Sequence, residues 1–297
     1  MPLFSFIIKS VMEFQIAQRK RAKIKMALQG PSGSGKTYSA LLIAYGLSHA
    51  WDKIAVIDTE NESSHLYAHL GAYNVLGIQS PFTPEKYMEA IDYCVASGMQ
   101  VVILDSITHE WENLLDYHSG LPGNSFTNWN KVTPRHNAFV QKILQSPLHI
   151  ISTIRTKQDY VLSEKNGRAV PEKVGLKSVQ RDGLDYEFTL VFDLDSKNMA
   201  HASKDRTGLF FGKPEQCITA SIGEKVSKWC MEELEPQIEY IKDRVNNAST
   251  ILELLGLYNQ YSQFNDLLLP FYEKRKQELR ANKLSVVTSQ LTQTHHE

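Results

Sequence analysis

Gly30-Pro31-Ser32-Gly33-Ser34-Gly35-Lys36-Thr37 is the stretch that decides the fold. Its spacing is G-x-x-x-x-G-K-[ST], and such a loop has meaning only between a strand and a helix. Ile24 to Leu28 alternates roughly and reads as the strand. Thr37 to His49 sets Ala40, Leu41, Ile43, Ala44 and Leu47 at helical spacing and reads as the helix. Glycines let backbone N–H groups turn inward and come close to phosphate oxygens. The helix N-terminus adds partial positive charge at the same place. Lys36 is expected to reach the β- and γ-phosphates, and the Thr37 hydroxyl to bind Mg²⁺. The expected ligand is therefore ATP with Mg²⁺, held by Gly30, Pro31, Ser32, Gly33, Ser34, Gly35, Lys36, Thr37 and the adjoining Tyr38.

Outward from this loop, strands and helices alternate. Ile54–Ile57, Val101–Leu104 and Leu148–Ile154 read as buried strands, with helices over Pro84–Ser97 and Arg135–Gln145. Near-continuous apolar strands alternating with helices imply an α/β fold, a mostly parallel central sheet flanked by helices. Tyr186–Leu194 and Gly208–Phe211 read as late strands, and the signals beyond Pro214 are helical, with Ser249 as a cap. The expected organisation is an N-terminal extension (1–20), an ATPase core (21–213), a small helical C-terminal region (214–281) and a disordered Ser/Thr/Gln-rich tail (282–297).

Two carboxylates complete the site. Asp105 ends the apolar run Val101–Leu104, where a strand-tip carboxylate beside the phosphate loop holds the metal directly or through water. Glu60 lies in Asp58-Thr59-Glu60 after the second strand, where it can orient or deprotonate the attacking water. Glu62, Glu110 and Glu112 are rivals for that role. Asp105 is followed by Ser106, so no glutamate sits directly after the metal-binding aspartate, as it does in many helicases and AAA-type ATPases.

The pattern resembles the RecA/DnaB branch of P-loop ATPases, which implies a RecA-like core. In that branch the catalytic Glu follows the second strand and a small hydroxyl residue follows the aspartate, as Glu60 and Ser106 do here. The resemblance implies a γ-phosphate sensor at Thr153, although the branch usually carries Gln or Asn there. Ser203-Lys204-Asp205-Arg206-Thr207-Gly208 is similar to the K-x-R-x-G segment of DnaB-type helicases. That likeness implies that Lys204 and Arg206 act on a neighbouring subunit's nucleotide and that the active form is a homo-oligomer. Together, G-P-S-G-S-G-K-T-Y-S-A-L, D-T-E, L-D-S and S-K-D-R-T-G-L-F are similar to the short RecA-like ATPases of bacteriophages, relatives of single-strand annealing recombinases. The function so implied is ATP-linked binding of single-stranded DNA in recombination or replication, with a single-strand-binding protein or replication factor as a further partner. A helicase or DNA-packaging motor, and a nucleotide switch acting on a protein without DNA, are the alternatives.

Arg155, Lys157, Lys165, Arg168, Lys173, Lys177 and Arg181 crowd one polar stretch after the sensor strand, and are the candidate DNA contacts, with Lys157–Gly183 read as a mobile segment. The net charge of −1 over 297 residues confines any such surface to a patch. Three scattered cysteines form neither a disulfide framework nor a metal motif, and the short apolar Leu3–Ile8 run cannot span a bilayer. A cytoplasmic protein is expected, in a bacterial host's cytoplasm if phage-encoded. Trp111, Trp129 and Trp229 read as packing residues, His118, His136 and His201 lack metal spacing, and Phe14-Gln-Ile-Ala17 has the F-x-x-A shape of a recombinase docking motif.

Overall fold

The computed structural model describes residues 23–165, 168–231 and 235–293. They form two compact units, divided at Cys230/Met231. The first contains a sheet in the order β3-β2-β4-β5-β1-β7-β8-β9. Its strands are β1 (Lys25–Gly30), β2 (Ile54–Asp58), β3 (Asn74–Gly77), β4 (Val101–Asp105), β5 (His149–Lys165), β7 (Leu190–Leu194), β8 (Met199–Asp205) and β9 (Gln216–Cys217), with β6 (Arg168–Ser178) paired to β5 beyond the sheet. β3, β2, β4, β5, β1 and β7 run parallel, and β8 and β9 are antiparallel. The helices are α1 (Lys36–Ser48), α2 (Pro84–Ala96), α3 (Thr108–Ser119), α4 (Ser125–Gln145) and α5 (Ala220–Met231), followed in the second unit by α6 (Glu235–Asn247), α7 (Ile251–Gln260) and α8 (Asn265–Gln293).

The alternation within the strands builds two cores. Met26 and Leu28 of β1, with Val101 and Ile103 of β4, face Leu41, Ile43 and Leu47 of α1 and Ile222 and Val226 of α5. Ala27, Val102 and Leu104 face the other way, against Tyr87 and Ile91 of α2 and Phe139 and Ile143 of α4. Successive strand side chains point to opposite faces, so strands apolar throughout demand helices on both sides. Within the second unit, Ile241, Val245, Leu254, Leu257, Phe264, Leu268 and Tyr272 pack α6, α7 and α8 together.

The boundary expected at 213 falls instead at Cys230, because α5 packs on α1 through a pair of glycines. A Cβ on Gly46 would meet the Ala220 carbonyl at 2.0 Å, and one on Gly223 would meet the Ile43 carbonyl at 2.2 Å. Both obstacles are backbone, so neither rotates away. Gly223→Ala should therefore destabilise the protein by roughly 2 kcal/mol, the usual scale of overpacking. The check is the urea midpoint, and an unshifted midpoint would refute the close approach.

Several elements differ from their sequence reading. Lys157–Gly183 is mostly not a loop: β5 and β6 form a long antiparallel hairpin, paired from Thr156↔Ser178 out to Lys165↔Arg168. Its polar sequence carries no apolar alternation, which is why periodicity missed it. Gly208–Phe211 is a turn rather than a strand, because the Asp205 carboxylate accepts the N–H groups of Thr207, Gly208, Phe210 and Phe211. α4 begins at Ser125, ten residues before the expected start at Arg135, with Asn124 accepting from the Phe126 N–H and Pro134 inside it. Thr250, not Ser249, caps α7 by accepting from the Glu253 N–H. α8 continues to Gln293, into the stretch expected to be disordered. Once Leu268 and Tyr272 anchor its start, each further turn needs only local hydrogen bonds. No helix of the described residues is long and apolar enough to cross a membrane, and Phe14–Ala17 lies outside the described residues.

Candidate functional site

The site gathers at the carboxyl ends of the parallel strands, the edge at which open α/β sheets bind ligands. Pairing sets its geometry: Asp58 of β2 lies beside Asp105 of β4, and Leu28 and Gly30 of β1 lie beside Thr153 and Arg155 of β5. The glycine loop follows β1 and enters α1 at Lys36. Gly33 and Gly35 have φ of 80° and 78°, a region costly for side chains and open to glycine. At Gly30, a Cβ would meet both the Leu194 carbonyl and Ser34 Oγ at 2.6 Å.

The residues fit a magnesium nucleotide. Thr37 Oγ1 donates to Asp105 Oδ2 at 2.6 Å, so the hydroxyl and carboxylate expected to share a metal already touch. Thr153 Oγ1 donates to the other oxygen, Oδ1, at 2.5 Å. Asp105 is 2% exposed. Burial pushes its carboxyl above the usual carboxylate range, opposed by the hydrogen bonds from Thr153 and Thr37. Lys36 Nζ donates to the carbonyls of Gly30 and Pro31, each at 2.9 Å. Burial lowers its ammonium pKa, while Asp105 and Glu60 pull it back up. Ser34 Oγ is buried in the loop with no hydrogen-bond partner, an unspent polar group where phosphate oxygens are expected.

Glu60 is the candidate carboxylate that the fold brings to this edge beside Asp105. Its Oε1 accepts from Ser106 Oγ at 3.1 Å and from Arg155 Nε at 2.8 Å, and its Oε2 accepts from Arg155 Nη2. His109 Nε2 stands 3.9 Å from Oε1. Asp58 accepts the N–H groups of Glu60 and Ser64, at 2.7 and 2.9 Å, and so fixes the turn that aims Glu60. Among the rivals, Glu110 is fully buried against His136 Nδ1 at 3.2 Å, whereas Glu62 and Glu112 are exposed.

Other expected contacts are placed differently. Arg155, expected on DNA, is instead paired with Glu60, because β5 delivers it to the same edge of the sheet. The Thr153 hydroxyl, expected on nucleotide, is engaged by Asp105. Tyr38 is 39% exposed, edge-on to Tyr67 at 5.8 Å. Lys204 Nζ donates to the carbonyls of Asp185 and Tyr186, and Arg206 Nη2 to that of Tyr186 at 2.8 Å, so neither reaches its own chain's loop. Lys157 is exposed, Lys177 reaches Asp182 Oδ1 at 3.0 Å, and Arg181 Nη1 donates to Asn137 Oδ1 at 2.9 Å. Lys165, Arg168 and Lys173 sit on the hairpin, with side chains outside the described residues.

Sequence reasoning missed Ser106 Oγ as a partner of Glu60, and Asn198. A Cβ on Gly35 would stand 3.2 Å from Asn198 Oδ1, so the β7–β8 turn closes over the loop. Asn198 itself has φ of 63°. Asn is one of the few side chains enriched in that region, a faint signal the sequence did carry.

With strand, loop, helix and paired carboxylate in place, a family model described as an AAA domain matches residues 22–221. The chain belongs to that family. No curated protein matches it. An AAA domain is an ATPase domain that binds nucleotide, and the loop, Thr37 and Asp105 are the parts of this one that fit the task. In this AAA domain Ser106 follows Asp105 and its hydroxyl donates to Glu60, on the neighbouring strand's turn.

Proposed function

We propose that this AAA domain is a RecA/DnaB-type ATPase that binds single-stranded DNA in recombination or replication and works as an oligomer. The observation that carries this reading is Arg155. It holds Glu60 from the last residue of β5 that pairs with β1, and the same strand then runs out as the lysine- and arginine-bearing hairpin. One continuous strand thus joins the candidate catalytic carboxylate to the candidate DNA-binding ribbon. A pull on the ribbon has a short, stiff route to Glu60.

The geometry supports a role for each residue. Thr37 and Asp105 would hold the divalent ion, which supplies charge neutralisation between the β- and γ-phosphates. Loop N–H groups and Lys36 cradle the phosphates. Glu60 positions the attacking water and takes its proton. Lys204 and Arg206, turned away from their own loop, suit a neighbouring copy's nucleotide, where positive charge arrives only on assembly.

The test is ATP hydrolysis at low salt with and without oligo-dT, with Lys36→Ala as the blank. Stimulation by DNA that disappears in Lys36→Ala and in Lys204→Ala/Arg206→Ala is expected. Mixing those two inactive proteins should restore part of the activity, because each supplies what the other lacks at a shared interface. Hydrolysis indifferent to DNA, with no salt-sensitive DNA binding, would leave a nucleotide switch acting on a protein as the better reading. Mixtures as inactive as their components would remove the trans role.

A further inference from the structure

Beside the hairpin base lies an open groove of about 780 Å³, lined by α3, α4 and the segment 177–182. α4 presents Phe126, Trp129, Asn130 and Thr133 to it, spaced i, i+3, i+4 and i+7, which is one face of a helix. α3 adds Trp111 and Leu115, one turn apart. The rings are ordered. Trp111 and Trp129 are stacked at 6.0 Å and 21°, and His118 lies on the far face of the same ladder, 4.2 Å from Trp129. Across the groove stand Lys157, Lys177 and Arg181.

One feature here is locally unfavourable. Phe126 is 85% exposed, a whole aromatic ring left in water. Lys157 and Lys177 are directly opposite one another in the hairpin register, with Lys177 also 3.0 Å from Asp182, so cationic side chains are gathered on that wall. A ring that the fold leaves uncovered at a groove is expected to be covered by a ligand. Flat aromatic faces on one wall and cations on the other match an unpaired nucleic-acid strand, whose bases stack and whose phosphates need positive charge. Paired bases hide their faces, so a duplex does not use the rings.

We infer that this aromatic and basic groove is a base-stacking site for single-stranded nucleic acid, with Phe126 receiving a base and Lys157 and Arg181 receiving phosphates. The inference rests on the single-strand reading above and gives that reading its contact surface. It also shifts the expected DNA contacts from the hairpin alone to the wall formed by α3 and α4.

The test is fluorescence anisotropy of labelled oligo-dT with the full chain, across a salt series, beside an abasic oligomer and a duplex of equal length. Phe126→Ala is the first variant, since its exposed ring has no packing to lose. It should weaken oligo-dT binding roughly fivefold or more, the scale of one lost stacking contact. Abasic binding should be unmoved by that substitution. Lys157→Glu and Arg181→Glu should weaken both oligomers and flatten the salt dependence. Unfolding midpoints measured alongside identify any variant that merely misfolds, and Phe126→Ser then replaces it. Salt-sensitive oligo-dT binding that all these variants keep at full strength would overturn the groove and leave the single-strand reading standing. No binding of oligo-dT by the unaltered protein would overturn both. Equal loss on oligo-dT and abasic chain in Phe126→Ala, or duplex bound as tightly as oligo-dT, would overturn base stacking. Displacement by an aromatic peptide of a chain that no nucleic acid displaces would assign the groove to protein.

Discussion

Asp105→Asn is expected to abolish magnesium-dependent ATP hydrolysis while making the nucleotide-free protein harder to unfold. The two effects have opposite signs because one carboxylate serves function at the expense of the fold. It is 2% exposed, and burial disfavours its charge strongly enough to raise its pKa. The hydroxyls of Thr37 and Thr153 relieve this only in part. A neutral amide of nearly the same shape removes the buried charge. The Thr hydroxyl facing the new NH2 can turn from donor to acceptor, so no group is orphaned. The unfolding midpoint without nucleotide should therefore rise by a few degrees, about 2–4 °C per kcal/mol for a domain of this size. Hydrolysis should fall by about 10³-fold, since the charge proposed to hold the metal is gone. The measurements are thermal unfolding without nucleotide and steady-state hydrolysis at saturating Mg²⁺. A variant that loses stability and keeps hydrolysis would remove Asp105 from the metal role.

The phosphate loop was legible because its chemistry acts through the backbone. Gly33 and Gly35 sit at positive φ, a demand few residue types meet, so conformation is written into residue identity. The strands were legible for a similar reason: β2 and β4 are buried at every position, and burial on two faces leaves an unbroken apolar run. α3 was missed because only Thr108, Glu110 and Leu114 of its residues are buried, and two of those are polar. The hairpin was missed because its residues are polar by sequence, and its pairing is made by backbone groups that every sequence possesses. Gly46 and Gly223, the pair that seats α5 on α1, lie 177 positions apart, so nothing local announces that they meet. The destination of Arg155 was beyond reach for another reason. A charge run predicts a field, whereas its partner depends on β5 lying just across β4 from β2 and the turn after Asp58, a matter of strand order.

Glu60→Gln and Arg155→Ala are expected to move hydrolysis in opposite directions. Glu60 is the only charged group engaged by both Ser106 and Arg155 among the described contacts at this edge, and removing its basicity should cost about 10²–10⁴ in rate. Nucleotide binding should survive, because the phosphates are held by the loop. Arg155 acts on the same carboxylate from the other side. With both oxygens of Glu60 accepting from its guanidinium, few lone pairs remain for a water. Arg155 is 41% exposed, so the pair is partly screened and is worth about 1 kcal/mol, or roughly fivefold in the population of free Glu60. Arg155→Ala should raise hydrolysis without DNA by about that factor and leave correspondingly less for DNA to stimulate. The double variant should behave as Glu60→Gln alone, since a restraint has no effect once the restrained group is gone. If Arg155→Ala instead loses activity as deeply as Glu60→Gln, the guanidinium belongs to the transition state, and the route from ribbon to carboxylate must run through contacts other than this pair.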